Sequence, residues 1–490
     1  MNIAKASIPN KEVTVRPNDK PWFNSYLRKL YRKRNQSYKV YKGKKNDLTL
    51  KKYKQTQEFY SQEIIRIKTE YESVKYSTLA RTGKDNPKKW WQLLKNVYKD
   101  NETIETVPPI EYEGKCFTND YDKANAFNDY FLTISAVDEE NMHVPEYRRV
   151  TQEGTLNSIN ITLQDVIDQI QILDISKSYG PDDISPRFLK EGLNVLSIIL
   201  QRIFNHSLSS CTFPSIWKKA NVMPVHKKGP KGVTNNYRPI SLLSVVGKVF
   251  ERIVFKYVYN HFKENFIITI HQSGFLPNRS TVTQLLEVYH HFCKAVDENK
   301  EIRVIFLDIS KAFDKVWHKG ILFKLQQCGI GGPLLKWFSS YLKDRMQRVV
   351  VNGRCGEWGK INAGVPQGSV LGPLLFIIYI NDITQAVTHC NIRLFADDTC
   401  LFINVDNRQT TATKIDEDLE SINKWSKQWI ISFSPTKTKS LIISTKRDIH
   451  LHPPVHLDNI AVEEVKSHTY LGLHFSHDLK WKKTYRLCFT

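Results

Sequence analysis

The chain has 490 residues, of which 41% are hydrophobic, and a formal net charge of +21 at pH 7. This length suggests about three domain-sized units with a sizeable core. The strongest apolar run, residues 370–380, is too short to span a bilayer, and no N-terminal segment resembles a signal peptide. The eight cysteines include no CxxC pair and no zinc-finger spacing, which indicates reduced thiols. Composition therefore predicts an intracellular globular protein of the nucleus or the cytoplasm that does not enter a membrane.

The positive charge is concentrated in residues 1–100, which carry 25 Lys and Arg against 9 Asp and Glu, a net charge of +16. Apolar residues recur at helical spacing over about 21–41 and 48–79, and a shorter helix is predicted over 88–98. We interpret residues 1–100 as a basic helical segment. Lys and Arg that neutralise phosphates give sequence-independent affinity for nucleic acid. An anionic membrane surface would attract the same charges, and a solvated helix would need no partner.

The pattern changes after the break at Pro108-Pro109. Residues 101–160 mix turn signals with one helical patch near 121–132, and we predict a linker there. From about residue 161 short β-rich segments alternate with helices, which predicts an α+β domain. Strands are predicted at 221–225, 304–308, 348–352, 392–395, 400–404 and 440–444.

Carboxylates lie at the ends of these predicted strands. One strand ends in Asp308, and Asp397 and Asp398 lie at the tip of a predicted hairpin. Asp favours turns for ordinary reasons, so the Asp pair alone is a weak sign of catalysis. Three clustered carboxylates would repel one another and take up protons unless a cation lay among them. They would suit two-metal nucleotidyl transfer, because magnesium is held by one or two carboxylates together with substrate phosphates.

Two further features lie between these acids. Phe313 follows Asp308 by five residues, where its ring would lie under an incoming sugar and exclude a 2′-hydroxyl; ordinary core packing is an equal alternative. Glycines flank Pro366-Gln367, ahead of an apolar helix predicted from about 371 to 383. Glycine permits close backbone approach, and a helix N-terminus suits phosphates or a template strand. A simple helix-start turn would show the same pattern.

These features belong to ten sequence blocks that occur in one fixed order. The blocks lie at 177–184, 213–218, 224–229, 236–243, 272–275, 306–314, 364–369, 395–398, 434–438 and 470–473. Taken together, they resemble the reverse transcriptases of non-LTR retrotransposons, in particular the jockey-like and CR1-like elements. The resemblance covers about residues 170–475, and one departure is Ser434, where relatives usually have Asn.

The resemblance implies an α+β, right-hand polymerase fold with fingers, palm and thumb. It implies an early fingers-side extension at 161–204, the reverse transcriptase domain at 205–478 and the start of a truncated thumb at 479–490. Residues 1–170 offer no constellation for an endonuclease, so we expect a fragment of an element's reading frame without endonuclease or most of the thumb. The implied activity is RNA-directed DNA polymerisation, with an RNA template, a DNA primer and dNTPs as partners. The alternative is a catalytically idle nucleic-acid-binding remnant.

The resemblance also implies roles for single residues. Asp308, Asp397 and Asp398 would be the catalytic acids, binding two Mg²⁺ ions for which Mn²⁺ can substitute. Asp308 and Asp397 are the expected direct ligands, and the backbone carbonyl of Ile309 would add another. The residues expected at the nucleotide are Arg238, Phe313, Gln367, Gly368 and Lys437. The residues expected at the primer or template are Tyr470, Leu471, Gly472, Lys227 and Lys228.

Several of these residues keep a structural alternative. Arg238 could pair with a surface carboxylate, Lys437 could be a solvated turn lysine instead of a general acid for pyrophosphate, and Tyr470 could be core packing. Lys227 and Lys228 could lie in an exposed basic loop. The remaining polar or aromatic residues near the motifs are interpreted as structural: Asp314, Trp317 and His318.

Overall fold

The computed structural model describes residue 20 and residues 22–85, 107–139, 142–145, 154–444 and 452–480. The chain divides into two compact units, residues 1–106 and 107–490, each described here by itself. The α-helices of the described residues are α1 (Ser25–Lys44), α2 (Asp47–Asp85), α3 (Asp120–Ile134), α4 (Leu163–Gln171), α5 (Pro186–Glu191), α6 (Leu193–Ser209), α7 (Val245–Glu264), α8 (Thr281–Asp297), α9 (His318–Gln327), α10 (Gly332–Leu342), α11 (Leu371–Tyr379) and α12 (Arg408–Gln428).

The strands of the described residues all belong to the second unit. They are β1 (Ile110–Tyr112), β2 (Lys115–Phe117), β3 (Lys219–His226), β4 (Tyr237–Leu242), β5 (Glu301–Asp308), β6 (Arg345–Val351), β7 (Arg354–Cys355), β8 (Gly359–Ile361), β9 (Asn391–Phe395), β10 (Asp398–Val405), β11 (Lys439–Ile443), β12 (His456–Leu457), β13 (Ile460–Ala461), β14 (Glu463–Val465), β15 (Ser467–Tyr470) and β16 (Leu473–Ser476). All six predicted strands are present as β3, β5, β6, β9, β10 and β11, with ends within a few residues of the prediction.

The first unit contains a helical hairpin. The rings of Tyr31 and Tyr60 lie 6.0 Å apart, and those of Tyr38 and Tyr53 lie 5.1 Å apart. Because residues later in α1 meet residues earlier in α2, the two helices run in opposite directions. Both predicted helices are thereby confirmed. The shorter helix predicted at 88–98 lies outside the described residues.

A five-stranded sheet, called the central sheet below, has the order β14-β11-β5-β10-β9. Its middle strand, β5, is buried along its length except at its half-buried last residue, Asp308. Ile305 and Leu307 enter the core on one face of the sheet, and Val304 and Phe306 enter the core on the other. Successive side chains of a strand point to opposite faces. A strand buried on both faces therefore has the continuous apolar sequence seen ahead of Asp308.

A second sheet has the order β4-β3-β6-β7, and β8 also pairs with β6. Helix α3 packs on this sheet, where Phe127 and Phe131 share a buried cluster with Val222 and Val349. The prediction of a linker over 101–160 is corrected for residues 110–134, because the hairpin β1–β2 and helix α3 contribute to a packed core. Residues 101–106, 140–141 and 146–153 of that span lie outside the described residues. Apolar residues at helical spacing bury one face of α3. The proline break and the turn signals around this helix gave no indication of that burial.

The apolar helix predicted from about 371 to 383 is shorter in the structure. Helix α11 ends at Tyr379, and a 3₁₀ helix covers Asn381–Ala386. The side chain of Asn381 accepts a hydrogen bond from the Thr269 amide at 2.9 Å and donates one to the Ile267 carbonyl at 2.8 Å. This tie to a neighbouring loop coincides with the change of helix type. No helix of the described chain has the length and apolar character needed to cross a membrane.

Candidate active site

The three predicted acids meet at one edge of the central sheet. Strands β5 and β10 are antiparallel, and their register sets Asp308 directly opposite Asp398. Strands β10 and β9 pair Asp398 with Phe395, which leaves Ala396 and Asp397 as a two-residue turn. Ala396 has a left-handed φ of 54° at the first turn position, as tight hairpins require. The sequence thus places three carboxylates at adjoining strand ends.

A buried segment supports this turn from below. The side-chain oxygen of Gln272 accepts hydrogen bonds from the Ala396 amide at 3.0 Å and the Gly274 amide at 2.7 Å. The Ser273 amide donates to the Leu394 carbonyl at 2.9 Å. A Cβ atom on Gly274 would overlap the Ala396 amide nitrogen, so only glycine fits there. Sequence reasoning noted this block at 272–275 but gave it no role.

Burial and the charges of neighbouring carboxylates raise the pKa of Asp397 and of Asp398. Desolvation in the cleft, followed by the charges of Asp397 and Asp308, raises the pKa of Asp398 to about 6, although part of its surface meets solvent. Burial and the Asp308 charge likewise raise the pKa of Asp397, and Arg238 and Lys227 oppose both shifts. Such a cluster favours a cation. One cation is already present, since Lys437 Nζ lies 3.2 Å from Asp308 Oδ2.

The donor set fits a hard divalent cation. Carboxylate oxygens are the ligands that magnesium prefers, and one or two of them usually suffice when substrate phosphates complete the shell. Within the part of the chain that the structure describes, no group of three or more His, Cys, Asp or Glu side chains is arranged to hold a metal by itself. Ile309, the predicted backbone ligand, is buried and forms an isolated antiparallel β-bridge with Phe433.

A cationic rim faces the acids. Burial lowers the pKa of Lys227, and the nearby charges of Arg238 and Lys437 lower it further while Asp308 opposes them. Arg238 is exposed and forms no ion pair within the described residues. This does not support the alternative that Arg238 pairs with a surface carboxylate. Lys228 is exposed. The structure thus brings Lys227, Arg238 and Lys437 near Asp308, with Lys228 adjacent in the loop.

Gln367 is held on both sides. Its side-chain amide donates to both carboxylate oxygens of Asp314, at 2.9 and 3.1 Å. Its backbone carbonyl accepts from the Ser241 amide at 2.8 Å. Gly368 has a φ of 119°, and a Cβ there would lie 2.6 Å from the Ser241 carbonyl oxygen. Asp314 is almost fully buried, and this burial raises its pKa to about 6. Its structural role is therefore specific, because it orients Gln367.

Phe313 is partly buried between two other rings. It stacks on Phe376 with centroids 4.6 Å apart and meets Phe275 edge-on at 5.8 Å. The backbone carbonyl of Phe313 accepts from the Val365 amide at 2.8 Å, which ties this residue to the loop that carries Gln367. Core packing, the alternative for Phe313, is therefore part of what its ring does.

The hairpin β15–β16 borders the same cleft as the acids. Leu471 and Gly472, with φ of 48° and 85°, form its turn. Tyr470 is only 4% exposed, packs on Phe306 at 5.3 Å and accepts a hydrogen bond from Gln284 at 3.3 Å. Core packing, the alternative for Tyr470, is what its side chain does. The cleft, of about 240 Å³, is lined in part by Asp308, Asp398, Thr399, Lys437, Leu471 and Gly472.

The sheet edge with three acids, the cationic rim and the loop that carries Gln367 lie within a segment whose protein class sequence comparison identifies. Residues 225–475 match the family described as "Reverse transcriptase (RNA-dependent DNA polymerase)". Because this match covers half of the chain, the protein belongs to the reverse transcriptase family.

Its relatives narrow the class to non-LTR retrotransposons, as predicted. Three of these relatives are from Drosophila melanogaster. The chain is 29% identical to the probable RNA-directed DNA polymerase from transposon BS, over 81% of this chain and 46% of the relative. It is 31% identical to that from transposon X-element, over 63% and 34%. It is 30% identical to the RNA-directed DNA polymerase from mobile element jockey, over 69% and 38%. The chain therefore spans between a third and a half of the length of these relatives.

Proposed function

We propose that the chain is an RNA-directed DNA polymerase that extends the 3′-hydroxyl of a DNA primer on an RNA template with dNTPs and releases pyrophosphate. The observation that carries this proposal is the convergence of Asp308, Asp397 and Asp398 at adjoining strand ends, facing a cationic rim. In the terms of a right-hand polymerase, the central sheet is the palm, and β3 and β4 belong to the fingers.

Two Mg²⁺ ions, or Mn²⁺ in their place, would be held by the carboxylates of Asp308 and Asp397, with Asp398 and the Ile309 carbonyl as further ligands. When bound, such ions lower the pKa of the attacking hydroxyl and neutralise charge on the phosphates. The chain prepares this site by holding three acids together against their mutual repulsion. The Gln272 and Gly274 support fixes the turn that carries Asp397.

The cationic rim would bind the triphosphate. Arg238 offers a planar, permanently charged fork to phosphate oxygens, and its exposure leaves it free to do so. Lys437 Nζ, which pairs with Asp308 at 3.2 Å, would turn to the leaving pyrophosphate and donate a proton to it. Gln367 and Gly368 would lie beside the incoming nucleotide and the templating base.

Phe313 would contact the sugar of this nucleotide. The stack on Phe376 fixes its ring, so a ribose 2′-hydroxyl would meet a rigid apolar surface. Leu471 and Gly472, which border the cleft, would hold the primer end, with Tyr470 as the buried support of their turn. Lys227 and Lys228 would contact primer or template phosphates.

A second candidate is a nucleic-acid-binding protein without turnover. The concentration of +16 net charge in residues 1–100 favours it, because backbone phosphates alone give salt-sensitive affinity. The two functions separate in dTTP incorporation on poly(rA) primed with oligo(dT), with duplex binding measured in parallel. Incorporation by the wild type that Asp397→Asn abolishes supports the polymerase. Equal duplex binding by both proteins without incorporation supports the second candidate and contradicts the first.

A further inference from the structure

The loop that follows Asp308 makes a hydrogen-bonded contact with a helix upstream of the family-matched residues. Lys311, which has a left-handed φ of 53°, donates from Nζ to the Tyr130 hydroxyl and to Asn235 Oδ1, the latter at 3.2 Å. Tyr130 donates to the same Asn235 oxygen at 2.6 Å. The ammonium also lies 4.8 Å from the centre of the Tyr130 ring. These three side chains, called the Tyr130 triangle below, close a ring of hydrogen bonds.

The Tyr130 triangle joins three separate parts of the second unit. Tyr130 lies on α3, which is outside the match at 225–475. Asn235 lies in the 3₁₀ turn Thr234–Asn236, directly ahead of the strand that carries Arg238. Lys311 lies in the loop between Asp308 and Phe313. The contact therefore connects the helix to both sides of the nucleotide site.

Lys311 is a cation whose hydrogen-bond partners are both neutral. Within the described residues no carboxylate comes within ion-pair distance of it, and Asp314 acts on it only from further away. A partly buried ammonium that no carboxylate pairs with directly is stabilised when an anion arrives.

We propose that Tyr130 is a positioning residue for nucleotide binding, which, together with Asn235, holds the Lys311 ammonium at the edge of the site to contact a phosphate of the incoming dNTP. This inference rests on the proposed polymerase function and adds to it a residue from outside the matched segment. Neutral acceptors fix the ammonium in place and leave its charge for the substrate, whereas a carboxylate partner would neutralise it. The tyrosine ring adds a cation–π contact that holds the same position.

Tyr130→Phe tests the role of the hydroxyl, because it keeps the ring and removes one hydrogen-bonding atom. Tyr121→Phe is the matched control, since Tyr121 lies on the same helix and donates to Glu357 at 2.6 Å. Lys311→Gln removes the charge at similar length. Steady-state constants for dTTP on poly(rA)/oligo(dT) are measured for these variants and for the Tyr130→Phe/Lys311→Gln double variant. The dissociation constant of a fluorescent dTTP analogue from the protein–primer–template complex is measured alongside.

Tyr130→Phe should raise the KM for dTTP about fivefold to tenfold, the net worth of one typical hydrogen bond, and leave kcat within about twofold. Lys311→Gln should raise the KM for dTTP at least as much. The double variant should have the same KM as Lys311→Gln alone, because Tyr130 acts through Lys311. Tyr121→Phe should match the wild type. A role in folding alone would lower thermal stability and leave KM unchanged.

The inference would be overturned if the KM increases of Tyr130→Phe and Lys311→Gln multiplied in the double variant. An unchanged KM in Tyr130→Phe would overturn it as well. Should the wild type fail to incorporate dTTP, the proposed function falls and the analogue's dissociation constant decides the inference separately. Weaker analogue binding by Tyr130→Phe than by Tyr121→Phe then supports it. Absence of analogue binding by the wild type, or equal binding by all variants, overturns it.

Discussion

Asp308 and Asp398 are directly paired on two adjacent antiparallel strands of the central sheet, β5 and β10, and Asp397 lies in the adjoining turn. Desolvation, followed by the charges of Asp397 and Asp308, raises the pKa of Asp398 to about 6. When no divalent cation is bound, the ionised form of Asp398 is therefore disfavoured in the folded protein. This has measurable consequences for stability, for pH dependence and for catalysis.

Asp398→Asn should stabilise the protein when no divalent ion is bound. The pKa of Asp398 is raised from 3.8 to about 6 in the folded chain, so the folded state holds this proton more tightly than the unfolded state. This contribution to stability is therefore lost as pH rises from about 4 to about 6. In EDTA at about pH 7.5 the variant should melt at a higher temperature than the wild type, and the difference should shrink towards pH 4. A lower melting temperature at pH 7.5 would contradict the pKa account. The control, Asp406→Asn, alters an exposed acid beyond β10 and should change little.

Gln367→Ala should destabilise the protein in a pH-dependent way. It removes the donor to both oxygens of Asp314, a buried carboxyl whose pKa is already about 6. An unsatisfied buried carboxylate costs about 1–3 kcal/mol, and this cost applies only while Asp314 is ionised. Urea unfolding should therefore show the loss at about pH 8 and much less of it at about pH 5. An equal loss at both pH values would exclude this explanation, and the Asp314→Asn/Gln367→Ala double variant should show little pH dependence.

Phe313→Ala should admit ribonucleotides. Removing the ring that stacks on Phe376 opens space where a 2′-hydroxyl would lie, and one steric contact of this kind discriminates about tenfold to a hundredfold. The ratio of kcat/KM for dTTP to that for UTP measures the effect. Phe255→Ala, which removes a partly buried ring that stacks on Tyr259, serves as control. Unchanged discrimination in Phe313→Ala would remove Phe313 from the sugar-gate role.

Gly274→Ala should reduce catalysis more than folding. The new Cβ would overlap the backbone of Ala396 and displace the turn that carries Asp397. A displacement of about 1 Å at a reacting centre can cost about a hundredfold in rate. Primer extension should fall by about that factor while the far-ultraviolet circular dichroism stays native. Gly43→Ala, where a Cβ meets no neighbouring atom, should behave like the wild type. Full activity in Gly274→Ala would show that the turn does not depend on this close approach.

The strands and the acids could be predicted from sequence because their signals are local. The apolar run of β5 ends at Asp308, and the Asp397-Asp398 pair lies between two short β-rich segments. Leu471 and Gly472, which the family resemblance marked, form the turn of a hairpin. The side chain of Tyr470 is different, since its burial depends on Phe306, which lies far away in sequence.

The supports of the site could not be predicted because they depend on long-range contacts. Gln272 reaches the Ala396 amide from another part of the chain, and Gly274 is needed because two backbones meet there. The hydrogen bond between Tyr130 and Lys311 depends on the packing of α3 on the second sheet. The polar sequence around α3 resembles a linker, whereas its apolar face is buried in the fold. Periodicity indicates that a helix forms and gives no information on its partner.

The central claim is that these acids catalyse RNA-directed DNA synthesis, and single-nucleotide extension of a DNA primer on an RNA template tests it most directly. Wild type, Asp397→Asn and the control Asp406→Asn are compared with Mg²⁺ and with EDTA, at equal occupancy of primer–template. The account predicts Mg²⁺-dependent extension by the wild type and by Asp406→Asn, and a loss of at least about a thousandfold in Asp397→Asn. Extension by Asp397→Asn at the wild-type rate, or none by any protein that binds the duplex, would contradict it.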